Sequence, residues 1–142
     1  MGLLVATQVQ SQTQQLSDDL TATTQTVTGS SNFTSDESTE IATAVVNLTP
    51  QIQSLLTNIV AHKPSFATAV LFVGDLSKTV EASLQMQQQE SAAFGTALQG
   101  KLAEPFASAA PLIAGQINDA FLNAIAKYDT CSNLLCLPPL AR

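Results

Sequence analysis

The sequence contains no tryptophan, one tyrosine, one histidine and two cysteines, and only 11% of its 142 residues are charged. Each shortage removes a class of function. With His62 as the sole imidazole, serine- and cysteine-nucleophile systems have a single candidate base. That histidine lies in a linker between two helical stretches, where it reads as solvent-facing. One histidine and no second cysteine pair leave no metal-ligand set, so no metal and no other cofactor is expected. No Gly-x-Ser-x-Gly elbow, phosphate loop or dinucleotide fingerprint occurs. Asp18, Asp19, Asp36, Glu37 and Glu40 read as solvated faces and helix starts, and no two acids fall on core-facing positions as a glycosidase pair requires. The chain reads as a non-enzyme.

Basic residues are equally scarce. Lys63, Lys78, Lys101, Lys127 and Arg142 are scattered, and the net charge is −6. Phosphate backbones need clustered Lys and Arg, so nucleic acid is not an expected partner, and a polybasic membrane anchor is equally disfavoured. No apolar run reaches the roughly 20 residues of a membrane span. No basic start followed by a long apolar core marks a signal peptide, and Met1-Gly2 reads as an added start on a mature chain. Aromatics are 5% of residues, so the core must be aliphatic. Ser, Thr, Gln and Asn supply most of the polar surface, a composition that suits a secreted or cell-wall protein better than a cytosolic one. The sequence carries no signal for oligomeric state.

What is present is helical periodicity. Apolar residues make up 45% of the chain, and a chain of this length buries roughly 70% of its unfolded surface as one domain. In the first segment, 3–28, Leu16 and Leu20 form the core pair, with Val9 and Val27 on the same face and Thr13, Thr23 and Thr24 filling inward positions. Gly29 to Asn32 ends it as a turn. The second segment opens with Ser35 as N-cap and Asp36 and Glu37 in its first turn. It carries Ile41, Val45, Leu48, Ile52, Leu55 and Ile59, and keeps its phase across Pro50, which favours a kink over a break. After Lys63-Pro64 a long stripe runs through Phe66, Val70, Val73, Leu76, Val80 and Leu84, fails for about two turns, and resumes at Phe94, Leu98 and Leu102. Gly74, Gly95 and Gly100 are the places for this segment to bend or stop. The last helix starts near Glu104-Pro105 and presents Phe106, Ala110, Ile113, Ile117, Phe121, Ile125 and Tyr128. No segment alternates as a strand. The expectation is an all-α, antiparallel bundle of four to five amphipathic helices, over residues 1–130, followed by an extended tail, 131–142.

The break in the long stripe places Gln88 and Ser91 on an inward face. Two readings stay open: the helix leaves the core there, or the core is not purely apolar at that depth. Periodicity alone favours a plain packed core. The other reading is a ligand site between the helices, lined by the aliphatic stripes, with Gln88, Ser91, Tyr128 and Thr24 as candidate head-group contacts. Cys131 and Cys136 could close a small terminal loop in an oxidising compartment, or stay unpaired in the tail. Asn32-Phe33-Thr34 and Asn47-Leu48-Thr49 are N-glycosylation sequons, the first the better placed because Leu48 faces the core.

The joint between the second and third segments carries a resemblance. Leu48-Thr49-Pro50-Gln51-Ile52, Leu55-Leu56 and Ile59-Val60 lead into His62-Lys63-Pro64-Ser65-Phe66, then Asp75-Leu76 and, later, Phe121 to Tyr128. From about residue 3 to about 128 the chain resembles the fungal hydrophobic-surface-binding protein A family, which includes the cell-wall galactomannoproteins. The resemblance implies a secreted or wall-associated helical bundle without catalytic residues. It also implies that the partner is a hydrophobic surface, or a long-chain fatty acid or related lipid in a central cavity. The first expectation is therefore a fatty-acid carrier. The alternative is an interfacial protein that adsorbs to hydrophobic surfaces and recruits secreted lytic enzymes. The resemblance does not extend to the Cys131–Cys136 tail.

Overall fold

The computed structural model describes residues 2–68 and 76–129. The positions Val70, Val73, Gly74, Cys131 and Cys136, and the side chains of Val9 and Leu76, lie outside what it describes. All regular structure among the described residues is helical: α1 (Gly2–Gly29), α2 (Ser35–Ala61), the short α3 (Lys63–Thr68), α4 (Leu76–Gln99) and α5 (Phe106–Asp129). Helix α4 packs most extensively on α5, α5 on α2, and α1 on α4, while α1 and α2 are not an extensively packed pair. The all-α bundle expected from periodicity is what forms.

Local chemistry sets the helix limits. The N-cap of α2 is Thr34 rather than Ser35: its side chain accepts from the Glu37 N–H, and the Glu37 carboxylate accepts from the Thr34 N–H. This reciprocal pair needs an acid three residues on, which Thr34 has and Ser35, with Ser38 in that place, lacks. Pro50 lies inside an unbroken α2 and Pro111 inside α5. In α1, Thr23, Thr24, Thr26 and Thr28 each donate to the carbonyl four residues back, satisfying hydroxyls that would otherwise compete with the helix.

Three positions depart by one residue from the expected stripes. Leu16 is 43% exposed and Leu55 53% exposed, while their neighbours Ser17 and Leu56 are buried. Likewise Thr49 takes a buried place beside Leu48. Apolarity was a poor guide because small hydroxyls bury cheaply once bonded: Thr49 donates to the Val45 carbonyl at 2.9 Å, and Ser17 donates to Glu90 on α4 at 2.5 Å. Between Leu55 and Leu56, identical side chains carry no information.

Two clusters pin the bundle. At one end the Phe33 N–H donates to the Lys101 carbonyl at 2.8 Å and Lys101 Nζ to the Ser30 carbonyl at 2.6 Å. There the fully buried Ser38 hydroxyl accepts from the Ala103 N–H at 2.9 Å. The α1–α2 and α4–α5 connections are thereby tied together. Toward the other end Leu56, Leu84, Phe121, Ala124 and Tyr128 form the buried core, with Ile59, Phe66, Val80 and Ile125 packed against it. The Tyr128 hydroxyl donates to the Ile59 carbonyl at 2.6 Å, and its ring lies 6.5 Å from that of Phe66. Lys63 sits 5.7 Å from the Tyr128 ring centre and donates to the Lys127 carbonyl, near the negative end of α5.

Leu84 is 2% exposed at the centre of this cluster, so Leu84→Ala should lower unfolding free energy in urea by about 3 kcal/mol. Burial pushes the Tyr128 hydroxyl from its ordinary 10.0 up to about 12. Below pH ~10 both states keep the proton and the contribution is complete; between ~10 and ~12 only the unfolded chain releases it. Stability should therefore fall as pH rises through that window, by up to about 1.4 kcal/mol per unit. Urea midpoints compared for the natural chain and Tyr128→Phe check this: the variant should lose that slope, and a slope unchanged in the variant contradicts it.

Candidate functional site

Between the two pinned ends the bundle does not close. A cavity of about 410 Å³ lies chiefly among α2, α4 and α5, with Leu20 as the contribution of α1. Its α2 wall is Ile41, Ala42, Thr43, Val45, Val46, Leu48 and Ile52. Gln88, Ser91, Ala92, Phe94 and Gly95 come from α4, Leu102 from the connection, and Phe106, Ala109, Ala110, Ile113, Ala114, Ile117, Asn118 and Phe121 from α5. The volume follows from side-chain size. Where α4 and α5 face it they present alanines and a glycine, and a methyl built on Gly95 would meet only the Ala114 methyl, at 3.6 Å. Val46 is 54% exposed and Leu48 47% exposed, and both line the cavity. Its apolar wall therefore meets solvent on the α2 side, where α1 does not pack closely.

The lining is apolar but for Thr43, Gln88, Ser91 and Asn118, and it contains no charged residue. Gln88 Nε2 donates to Asn118 Oδ1 at 2.6 Å, bridging α4 and α5. Of the residues expected as lining, Leu20, Val45, Leu48, Ile52, Phe94, Ile113, Ile117 and Phe121 do border the space, and so do Gln88 and Ser91. The polar break in the long stripe is thus the polar part of a cavity wall.

Other expected contacts lie elsewhere. Leu16 and Leu55 are exposed; Ile59, Phe66, Val80, Leu84 and Ile125 belong to the core cluster; Leu98 is buried away from the cavity. Tyr128 is not on the lining, because its hydroxyl is committed to the Ile59 carbonyl. Thr24 is not on it either, its hydroxyl bonding back to the Leu20 carbonyl at 2.7 Å. Asn118 was missed in the sequence, because the stripe beside it, Ile113, Ile117 and Phe121, is unbroken and gives no sign of a polar wall.

A second, open groove of about 510 Å³ runs between α2 and α5, with Gln53, Thr57, Gln116, Asp119, Asn123 and Lys127 around an aliphatic floor. Among the described residues no group of three or more His, Cys, Asp or Glu could hold a metal ion, and no helix is long and apolar enough to cross a membrane. The geometry offers a lined volume and hydrogen-bonding groups.

Comparison with known proteins fits this geometry. The family profile described as hydrophobic surface binding protein A matches residues 2–100. The chain belongs to that family. The match spans α1 to α4, and α5, which supplies the other large wall of the cavity, lies beyond it. Among solved structures, the crystal structure of Afmp4p in complex with palmitic acid superposes with a TM-score of 0.83 at 28% sequence identity, covering 89% of this chain and 80% of that one. No curated protein matches the sequence significantly.

The Gln88–Asn118 pair makes a stability prediction of its own. Removing one amide strands the other, whereas replacing both with apolar groups strands neither. Gln88→Leu alone should cost about 1–3 kcal/mol, and adding Asn118→Leu should recover part of that loss. A double-mutant cycle by urea denaturation reads the coupling, and strict additivity contradicts it.

Proposed function

We propose that this chain is a secreted or cell-wall protein that holds a long-chain fatty acid or similar amphiphile inside its helical bundle. Residues 1–130 are the binding unit in this reading, and 131–142 a tail. The observation that carries it is the uncharged, predominantly apolar cavity between α2, α4 and α5. The palmitic acid bound by Afmp4p, a protein of like fold and 28% identity, supports the same ligand class. The apolar wall meets solvent on the α2 side, and an alkyl chain lying against it would take that surface out of water.

The dimensions suit a single alkyl chain. From Gln88 to Leu102 the cavity follows α4 and its end for fourteen residues, roughly 21 Å at 1.5 Å per residue. A zigzag of C–C bonds of about 1.5 Å advances roughly 1.3 Å per carbon, so sixteen carbons need about 20 Å. About fifteen buried methylenes at ~0.8 kcal/mol each give a gross term near ~12 kcal/mol. Association and ordering remove much of this, leaving micromolar or tighter affinity.

A second reading, adsorption to hydrophobic surfaces, has its own support in the family and in the exposed Leu55, Leu112 and Leu122. It predicts uptake that follows surface area without chain-length preference. We also propose Asn32, exposed in the α1–α2 connection, as an N-glycosylation site ahead of Asn47, which lies within α2.

Ala110→Phe places a ring in the cavity and tests the carrier reading. Calorimetry on delipidated protein should show saturable palmitic acid binding that weakens at least tenfold in the variant, with preference shifting to shorter chains. Binding absent from the natural chain, or unaltered by the ring, would count against the cavity as the site.

A further inference from the structure

We infer that the cavity selects amphiphiles with an uncharged polar head — an alcohol, an amide or a protonated carboxylic acid — and seats that head at Gln88, Ser91 and Asn118 in the middle of the bundle. This rests on the carrier reading above and sharpens it to a ligand class and an orientation. Three observations carry it.

The first is the absence of charge. No lining residue is ionisable, and the charged groups on the surrounding helices are directed elsewhere. Glu90 on α4 accepts from Ser17, Glu81 pairs with Lys78, and Asp119 on α5 borders the outer groove. Lys101 is bonded to the Ser30 carbonyl, and Asp18 and Asp19 on α1 and Glu40 on α2 are exposed. An ionised carboxylate seated among these groups would give up part of its hydration and find no cation in return, which is unfavourable.

The second is the hydrogen-bonding capacity of the amide pair. Gln88 and Asn118 spend one donor and one acceptor on each other. Whichever amide is the donor, N–H groups and a carbonyl remain, and the Ser91 hydroxyl adds one of either kind. A hydroxyl or a protonated carboxyl donates one bond and accepts another, matching this set. A carboxylate only accepts: it can take the N–H groups but leaves the remaining amide carbonyl without a donor from the ligand.

The third is position. Gln88 and Asn118 lie at the end of the cavity bounded by Ile52, Ile117 and Phe121, next to the buried core. The opposite end, at Ile41, Leu102 and Phe106, is apolar and lies beside the tied connections. The chain therefore points its tail toward the α4–α5 connection and its head inward, rather than leaving the head at a solvent-facing end of the bundle.

Calorimetric titration of the delipidated chain with dodecanol and with dodecanoic acid, both below their micellar range, tests this across pH 6 to 8. Dodecanol affinity should change by less than twofold. Dodecanoic acid, whose carboxyl ionises in the range of an ordinary side-chain acid near ~4.3, should weaken roughly tenfold per pH unit, about a hundredfold over the range. An acid that binds equally well at both ends of the range would overturn the inference while leaving the carrier reading intact, since its head would then sit in water. If neither ligand binds at any pH, the carrier reading falls and this inference with it. As a second arm, Gln88→Leu with Asn118→Leu should weaken dodecanol about tenfold and leave n-dodecane unchanged. Equal loss of both ligands, or of neither, would place the head group elsewhere.

Discussion

Tyr128 on the Ile59 carbonyl and Phe33 on the Lys101 carbonyl lie toward opposite ends of the bundle, and between them the spacing of α2, α4 and α5 is held rather than chosen by local packing. At the Tyr128 end, large side chains meet and exclude solvent: Leu84, Phe121 and Tyr128 are all nearly inaccessible. At the other end the fully buried Ser38 hydroxyl and the Lys101 bonds join two connections that would otherwise diverge. The span between has alanines and glycine where a closed bundle would need leucines. Small residues usually let helices approach, but approach here is opposed by the cluster at one end and the tied connections at the other. The cavity is the consequence.

The same arrangement explains why α1 differs from the other helices. It packs on α4 alone among the long helices with extensive contact, contributes only Leu20 to the cavity, and holds α4 through Ser17 and Glu90. The second Glu90 oxygen is buried with no hydrogen-bond partner among the described residues. Its threonines satisfy themselves within the helix, so its outer face has little need of a partner. The apolar wall of α2 at Val46 and Leu48 is left partly open beside it. The family profile that matches this bundle is described by hydrophobic surface binding, which accords with an apolar wall left partly open to solvent.

Much of the architecture was legible in the sequence, and the reasons it was are specific. Stripes spaced three and four marked α2, α4 and α5, a sparser set of apolar positions four and seven apart marked α1, and the acids after Thr34 marked the start of α2 to within one residue. Positions went astray where two neighbours compete for one inward direction: Leu48 against Thr49, Leu55 against Leu56, Leu16 against Ser17. Hydrophobicity cannot decide such pairs when a hydroxyl is bonded or both candidates are leucine. The polar break at Gln88 and Ser91 was visible as an anomaly, and it falls on the cavity wall. Tyr128 and Thr24 were drawn to the site by helical phase alone, which fixes a direction but not a depth along the axis. The cavity itself was expected only through the family resemblance and the polar break, and its size and place were not legible, because empty space arises from distances between helices and no single residue encodes it.

The most direct test of a ligand inside the bundle is a set of intermolecular NOEs between carbon-13-labelled palmitic acid and methyl-labelled protein. The account predicts contacts from the alkyl chain to Val45, Ile113 and Ile117, which share the cavity wall, and none to the exposed Leu112 and Leu122. Contacts confined to Leu112, Leu122 and other outer positions, with Ile113 and Ile117 silent, would contradict it.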